Sequence, residues 1–183
     1  MHPYIRTIAA QAGFTEDDPE HKLLVLSYGI EQIPLILSAL DGQQVDTVVS
    51  MLTLCSIPPS VDPSSPSSPP SPKTTIREFF VHVLAPGGIF IFYEHVLNHR
   101  PDIARVQRFW APLWEMVFDG CRVDRPTDVW LRELGVAGSD EMHGKDDVHE
   151  ALWCEGEMGG LEGESDDHHF WHQLGWFVKR KDN

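Results

Sequence analysis

The sequence predicts a single α/β domain built on a parallel sheet with helices on both faces. Three observations carry that reading. Stretches of helical and strand-like apolar period alternate from the N-terminus to about residue 134. Gly- or Pro-containing turns separate them. The length, 183 residues, suits one domain.

In chain order, Met1 to Ala12 places Tyr4, Ile5, Ile8 and Ala12 on one face of a short amphipathic helix, stopped at Gly13. Lys22 to Tyr28, "KLLVLSY", is a compact apolar run and predicts a buried strand. Glu31 to Leu40 predicts a helix whose Pro34 is tolerated in the first turn, and Asp41-Gly42 a turn. Val45 to Leu52 is β-branched and predicts the next buried strand. Pro58 to Pro72 is Pro/Ser low complexity and predicts an exposed loop.

Thr75-Ile76-Arg77-Glu78 fits a capping box, and Ile76, Phe79, Phe80, Val83 and Leu84 make the apolar stripe of the helix it opens. Pro86-Gly87-Gly88 ends that helix and Ile89 to Tyr93 forms a strand. Ile103 to Phe118 is helical by period, kinked at Pro112. Thr127 is a candidate N-cap for a short helix through Leu134. The acidic, Gly-rich stretch from 135 to 167 holds a candidate strand around His149 to Cys154, and Phe170 to Lys179 supplies a last one.

Composition excludes some functions. A formal net charge of −14 with a pI near 4.9 argues against a nucleic-acid-binding surface. Three widely spaced cysteines, Cys55, Cys121 and Cys154, suit a reducing compartment. There is no charged region followed by an apolar leader core, and no apolar run of membrane-spanning length. A soluble, cytoplasmic chain is the expectation.

Ligands of such sheets bind beyond the carboxyl ends of the strands, which singles out Ser27 to Glu31, Ser50 to Pro58 and Glu94 to Asn98. Glu94-His95 is the pair with most chemistry. His95 can serve as a general base on a thiol or hydroxyl, with Glu94 orienting it. Alternatively, Glu94 caps a neighbouring helix or binds loop amides. Neighbours on a strand point to opposite faces, so one of the two should face the ligand and the other support a loop. Cys55 is either a reactive thiol or a small buried apolar residue, and the absence of a flanking cation favours burial. The aromatic stripe of Trp110, Trp114 and Phe118 reads as core before ligand box. The late histidines His143, His149, His168, His169 and His172, with Cys154, suggest adventitious metal binding rather than a built site, so no metal site is expected.

Three segments carry a resemblance: "VVSMLTLCSIP" (Val48 to Pro58), "VLAPGGIFIFYEHV" (Val83 to Val96) and "RFWAPLWEMVFDGCRVDRPT" (Arg108 to Thr127). They resemble the methyltransferase-like family of class I S-adenosylmethionine-dependent methyltransferases, related to the ubiquinone and menaquinone C-methyltransferases. That family's animal members include membrane-associated thiol methyltransferases. A strand ending in Thr-Leu-x-Leu-Cys-Ser-Val, an L-x-P-G-G turn, a strand ending in Glu-His and a Trp-rich helix ending in Asp-Gly-Cys are its usual order, and all four are similar here over most of residues 1 to 134.

The resemblance implies a Rossmann-like methyltransferase sheet and S-adenosyl-L-methionine as cofactor. It places Gly29 and Ile30 against the adenine, and Ser50, Met51 and Leu52 beneath the sulfonium. His95 and Glu94 become catalytic candidates, and Cys55, Trp110 and Trp114 lie on the substrate side, facing a small-molecule acceptor such as a thiol. The family's glycine-rich cofactor turn and its acidic ribose-binding strand end are not in these 183 residues. Met1-His2-Pro3-Tyr4 resembles the segment just after that acid. The expectation is therefore a single partial domain over 1–183, N-terminally truncated, lacking the first strands and the glycine-rich loop, with a loop at 58–72 and an insert at 135–167. Relatives' N-terminal membrane segments would be absent with it. Exposed edges at Leu23 to Leu26 predict self-association. The competing reading is a non-catalytic methyltransferase-like protein that acts as an interaction partner.

Overall fold

A computed structural model describes residues 3–59, 70–135 and 151–181. Its elements are helices α1 (Pro3–Gln11), α2 (Ile33–Ala39), α3 (Pro72–His82), α4 (Pro101–Val117) and α5 (Thr127–Glu133), with strands β1 (Val45–Met51), β2 (Leu84–His95), β3 (Trp153–Gly160) and β4 (His172–Lys179). A single 3-10 turn, Leu54–Ser56, follows β1.

The four strands form one sheet in the order β1-β2-β4-β3. β1 and β2 are parallel, as the alternation with helices requires, whereas β4 runs antiparallel to both β2 and β3. The sheet is thus mixed. The single loop 161–171 carries the chain from β3 back along β4, whereas a parallel return needs a longer crossover, usually a helix.

The core lies on one face. Phe90 and Phe92 of β2, Phe177 of β4 and Trp153 of β3 stack in series, with Phe80 of α3 set against Phe90 at 4.4 Å between ring centroids. Ile76, Leu84 and Leu131 close the cluster. The apolar stripe of α3 therefore packs as its period predicts, with Phe79 half-buried. Lys179 enters this core, and its ammonium donates to the carbonyls of Phe80, Val81 and Leu84 at 2.7–3.0 Å. Two of those carbonyls belong to the end of α3, so the buried charge serves as its C-cap. On the opposite face Val49, Met51, Ile91 and Leu174 stay exposed. These four positions of that face carry no cover, and β1 is half exposed rather than buried.

Several boundaries differ from the sequence expectation. Lys22 to Tyr28 forms no strand. Its only ladder contact is an isolated bridge between Thr15 and Lys22, and Leu24 and Tyr28 are exposed. An apolar run becomes a strand only beside a partner, and among the described residues β1 pairs with nothing on its outer edge. Among the described residues the outer strands are thus β1 and β3, and Leu23 to Leu26 form no strand edge. Ser71 caps α3, accepting from the Thr74 amide at 3.2 Å, while the supposed capping Thr75 is buried within the helix. Pro72 starts that helix rather than ending a loop, and residues 60–69 of the expected loop lie outside the described residues.

The Pro86-Gly87-Gly88 turn does not end α3, which stops at His82. It sits inside the span of β2, where the β1 register slips between Val45 and Thr47. Gly87 takes φ +79°, which explains glycine there. α4 runs through Pro112 as one helix. Thr127 makes no cap hydrogen bond. The cap is Pro126, and the Thr127 hydroxyl donates to the carbonyls of His95 and Arg125. β3 starts at Trp153, later than expected, and occupies part of the presumed insert. His143 and His149 lie outside the described residues.

Candidate functional site

The parallel strands β1 and β2 end side by side, with Met51 opposite Tyr93. Alternation along β2 then sends Glu94 to the core face and His95 to the other.

Glu94 is fully buried. Its carboxylate accepts from the Ser50 hydroxyl at 2.6 Å, from the Thr53 amide at 3.2 Å and from the Leu54 amide at 3.1 Å. The last two amides open the 3-10 turn, so the carboxylate caps it at the end where free N–H groups point outward. Burial raises the carboxyl above its usual range, against the opposing pull of these donors. Glu94 therefore holds the loop after β1. It makes no hydrogen bond to His95 among the described interactions, and the arrangement in which it orients the imidazole is not formed.

His95 meets a different set of groups. Its Nδ1 lies 3.7 Å from the Cys121 sulfur. Its ring lies against His172 at 4.6 Å and Phe170 at 6.1 Å. His172, opposite His95 in the β2–β4 register, donates from Nδ1 to Glu164 at 2.6 Å. The carboxylate–imidazole pair of this site is thus Glu164–His172, set against His95, and not Glu94–His95. Strand register sets His172 beside His95, and the loop between β3 and β4 folds Glu164 back onto His172, an arrangement with no periodic signal in the sequence. His168 also reaches Glu164, at 3.3 Å, so His168 and His172 share one carboxylate although they lie on no helix.

Cys55 and Cys121 meet behind His95. Both are buried and their sulfurs are 3.0 Å apart. The Arg122 amide donates to the Cys55 carbonyl at 3.0 Å and Arg125 reaches the Leu54 carbonyl at 3.4 Å, so the turn after α4 is stitched to the loop after β1. The Cys55 hydrogen bond, with help from His95, holds the Cys121 thiol down to about 4, while the same contact and burial push Cys55 up.

Two cavities flank these groups. One, of about 470 Å³, is walled by Val106, Trp110, Leu113, Trp114, Phe118 and Phe170. Trp114 and Phe170 pack on each other at 4.6 Å and separate this cavity from His95. Gln107, almost fully buried, fixes α4 here. Its amide nitrogen donates to the carbonyls of Val96, Val123 and His169 at 3.1 Å each, and its oxygen accepts from the Asn98 amide at 2.7 Å. The aromatic stripe thus lines a cavity as well as packing, with Trp110 more than half exposed.

The other cavity, of about 560 Å³, lies beside β1 and is lined by Gly29, Ile30, Glu31, Val48, Ser50 and Ile57 among others. Its apolar walls and the Glu31 carboxylate suit a nucleoside. Met51 and Leu52 are exposed and do not line it, and Leu52 takes φ +54° as the chain turns away. Ser50 lines it with its hydroxyl already committed to Glu94. For S-adenosylmethionine the residues therefore fit the adenosine end, and no glycine-rich cradle for the methionine end stands among the described residues.

No protein-family profile matches the chain. The chain is 29% identical over 109 residues to the rat thiol S-methyltransferase TMT1B, covering 59% of this chain and 37% of that protein. Human thiol S-methyltransferase TMT1B is 34% identical over 88 residues, and human TMT1A 35% over 89, each match covering 30% of the human protein. The chain thus spans about a third of the length of these curated relatives. Among solved structures, an O-methyltransferase family protein from Burkholderia thailandensis superposes with a TM-score of 0.38 at 12% identity, over 86% of this chain and 36% of that one.

Proposed function

We propose that this methyltransferase-like chain, similar over about half its length to the thiol S-methyltransferases, carries the acceptor side of an S-adenosylmethionine-dependent methyl transfer to a small apolar thiol. The observation that carries the reading is the meeting of β1 and β2, where Glu94 pins the loop at Ser50 to Leu54 and His95 stands behind the aromatic cavity of α4. Similarity to relatives named as thiol S-methyltransferases supports methyl transfer in general and motivates the choice of acceptor.

S-adenosylmethionine supplies an electrophilic methyl group when bound. Gly29 and Ile30 would hold its adenine end. The chain's own residues do three things. The walls of Trp110, Leu113, Trp114 and Phe170 bind an apolar acceptor. His95 takes the thiol proton of an acceptor whose sulfur passes between Trp114 and Phe170, the pair that parts the imidazole from the cavity, because a thiolate is the nucleophile. His172, fixed by Glu164 and stacked on Tyr93, lies against His95 and steadies the ring.

Incubating the full chain with methyl-labelled S-adenosylmethionine and a small aromatic thiol tests this. Labelled thioether should form and fall at least tenfold in His95→Gln, while Trp110→Ala should mainly raise KM. Transfer by His95→Gln at the wild-type rate would overturn the role given to His95.

A further inference from the structure

We propose that Cys55 and Cys121 form an oxidisable dithiol, a modification site for hydroperoxides that closes to a disulfide between the loop after β1 and the turn after α4. It stands independently of the methyl-transfer reading.

The sulfurs are already in contact at 3.0 Å, although the residues are 66 positions apart in sequence. A disulfide needs about 2.05 Å between sulfurs and main chains close together. The second condition is met by the hydrogen bond from Arg122 to the carbonyl of Cys55 itself. Both cysteines are free, as is exposed Cys154. A thiophilic cation on Cys55, Cys121 and His95 is the competing use, since their donor atoms lie within 4.8 Å of one another. Tetrahedral zinc, however, keeps two thiolate sulfurs roughly 3.8 Å apart. Cys55 would have to retreat into a close-packed wall, because it has no exposed surface.

The two thiols are not equivalent. Cys121 keeps slight exposure and has His95 Nδ1 at 3.7 Å to take its proton. Cys55 is sealed. Cys121 is therefore the attacking sulfur and Cys55 the resolving one. The Cys121 thiolate attacks the O–O bond of the hydroperoxide, gains the terminal OH as a sulfenic acid, and releases alkoxide, which is protonated to the alcohol. The Cys55 sulfur then attacks that sulfenic sulfur. The S–S bond forms, the S–O bond breaks, and hydroxide leaves with the Cys55 proton as water. Two thiols are oxidised by two electrons and one peroxide is reduced.

The product would clamp the segment held by Glu94 to α4. In a reducing compartment such a bond is transient, and reduction by a small dithiol restores the pair.

The test treats the reduced chain with equimolar hydrogen peroxide, then alkylates under denaturing conditions and maps peptides by mass spectrometry. A peptide pair joined through Cys55 and Cys121 is expected, with Cys154 alkylated. Formation should slow about tenfold in His95→Gln, which loses the base. In Cys121→Ala no cross-link should form and Cys55 should remain alkylatable. Oxidation confined to Cys154, or protection of both buried thiols by a cation that a chelator removes, would overturn the proposal.

Discussion

Replacing Glu94 by Ala should destabilise the fold more than any other single change at the strand ends. The side chain is fully buried and satisfies two main-chain amides and one hydroxyl at 2.6–3.2 Å. Each hydrogen bond to a charged group is worth about 1.5–3 kcal/mol, and part of that sum offsets the cost of burying the carboxylate, leaving about 3 kcal/mol net. With a urea slope of roughly 2 kcal/mol/M, the denaturation midpoint should fall by about 1.5 M at unchanged slope. Glu94→Gln keeps the shape but turns one donor toward the amides, so its loss should be smaller.

The pH dependence has a definite sign. The folded carboxyl is raised above its unfolded value, so the folded chain binds the extra proton between the two. The proton-linked part of its contribution is complete below the unfolded value and is lost as pH rises through the folded one, while the hydrogen bonds to the ionised carboxylate remain. Glu94→Gln should remove that slope. A midpoint for Glu94→Ala within experimental error of wild type would refute the capping role.

Three further outcomes follow from the packing. Lys179→Met should cost about 2–4 kcal/mol in urea unfolding, because it strips the donor from the buried carbonyls of Phe80, Val81 and Leu84. Gly175→Ala drives a Cβ into the main chain of Glu157 and Met158, so β3 amides should lose hydrogen-exchange protection ahead of β1 and β2. Gln107→Leu leaves the Val96, Val123 and His169 carbonyls without their shared donor, and should loosen α4, read as enhanced quenching of Trp110 and Trp114 fluorescence by acrylamide.

Period carried much of the fold into view. The α3 stripe and the β2 alternation face the core because burial enforces their spacing, and the same alternation correctly separated Glu94 from His95. What stayed hidden depends on partners distant in sequence. Lys22 to Tyr28 has the composition of a strand but no neighbour to pair with. β3 pairs through its main chain at a sheet edge, and its Glu- and Gly-rich sequence carries little apolar signal. Ser71 precedes the first turn of α3 after a Pro/Ser run that conceals it, whereas Thr75 only has the right spacing for a cap. The Cys55–Cys121 contact and the Glu164–His172 pair arise from the folding of loops, and the His95–His172 contact from strand register. The resemblance located the strand ends, but the division of labour there came from geometry.

The nucleoside-facing part of this account is tested most directly by titrating isotopically labelled protein with S-adenosylhomocysteine and following backbone amide resonances. The account predicts saturable shifts at Gly29, Ile30 and the Ser50 to Leu54 loop, with β3 unmoved. Absence of saturable shifts at millimolar ligand, or shifts confined to residues far from the ends of β1 and β2, would contradict it.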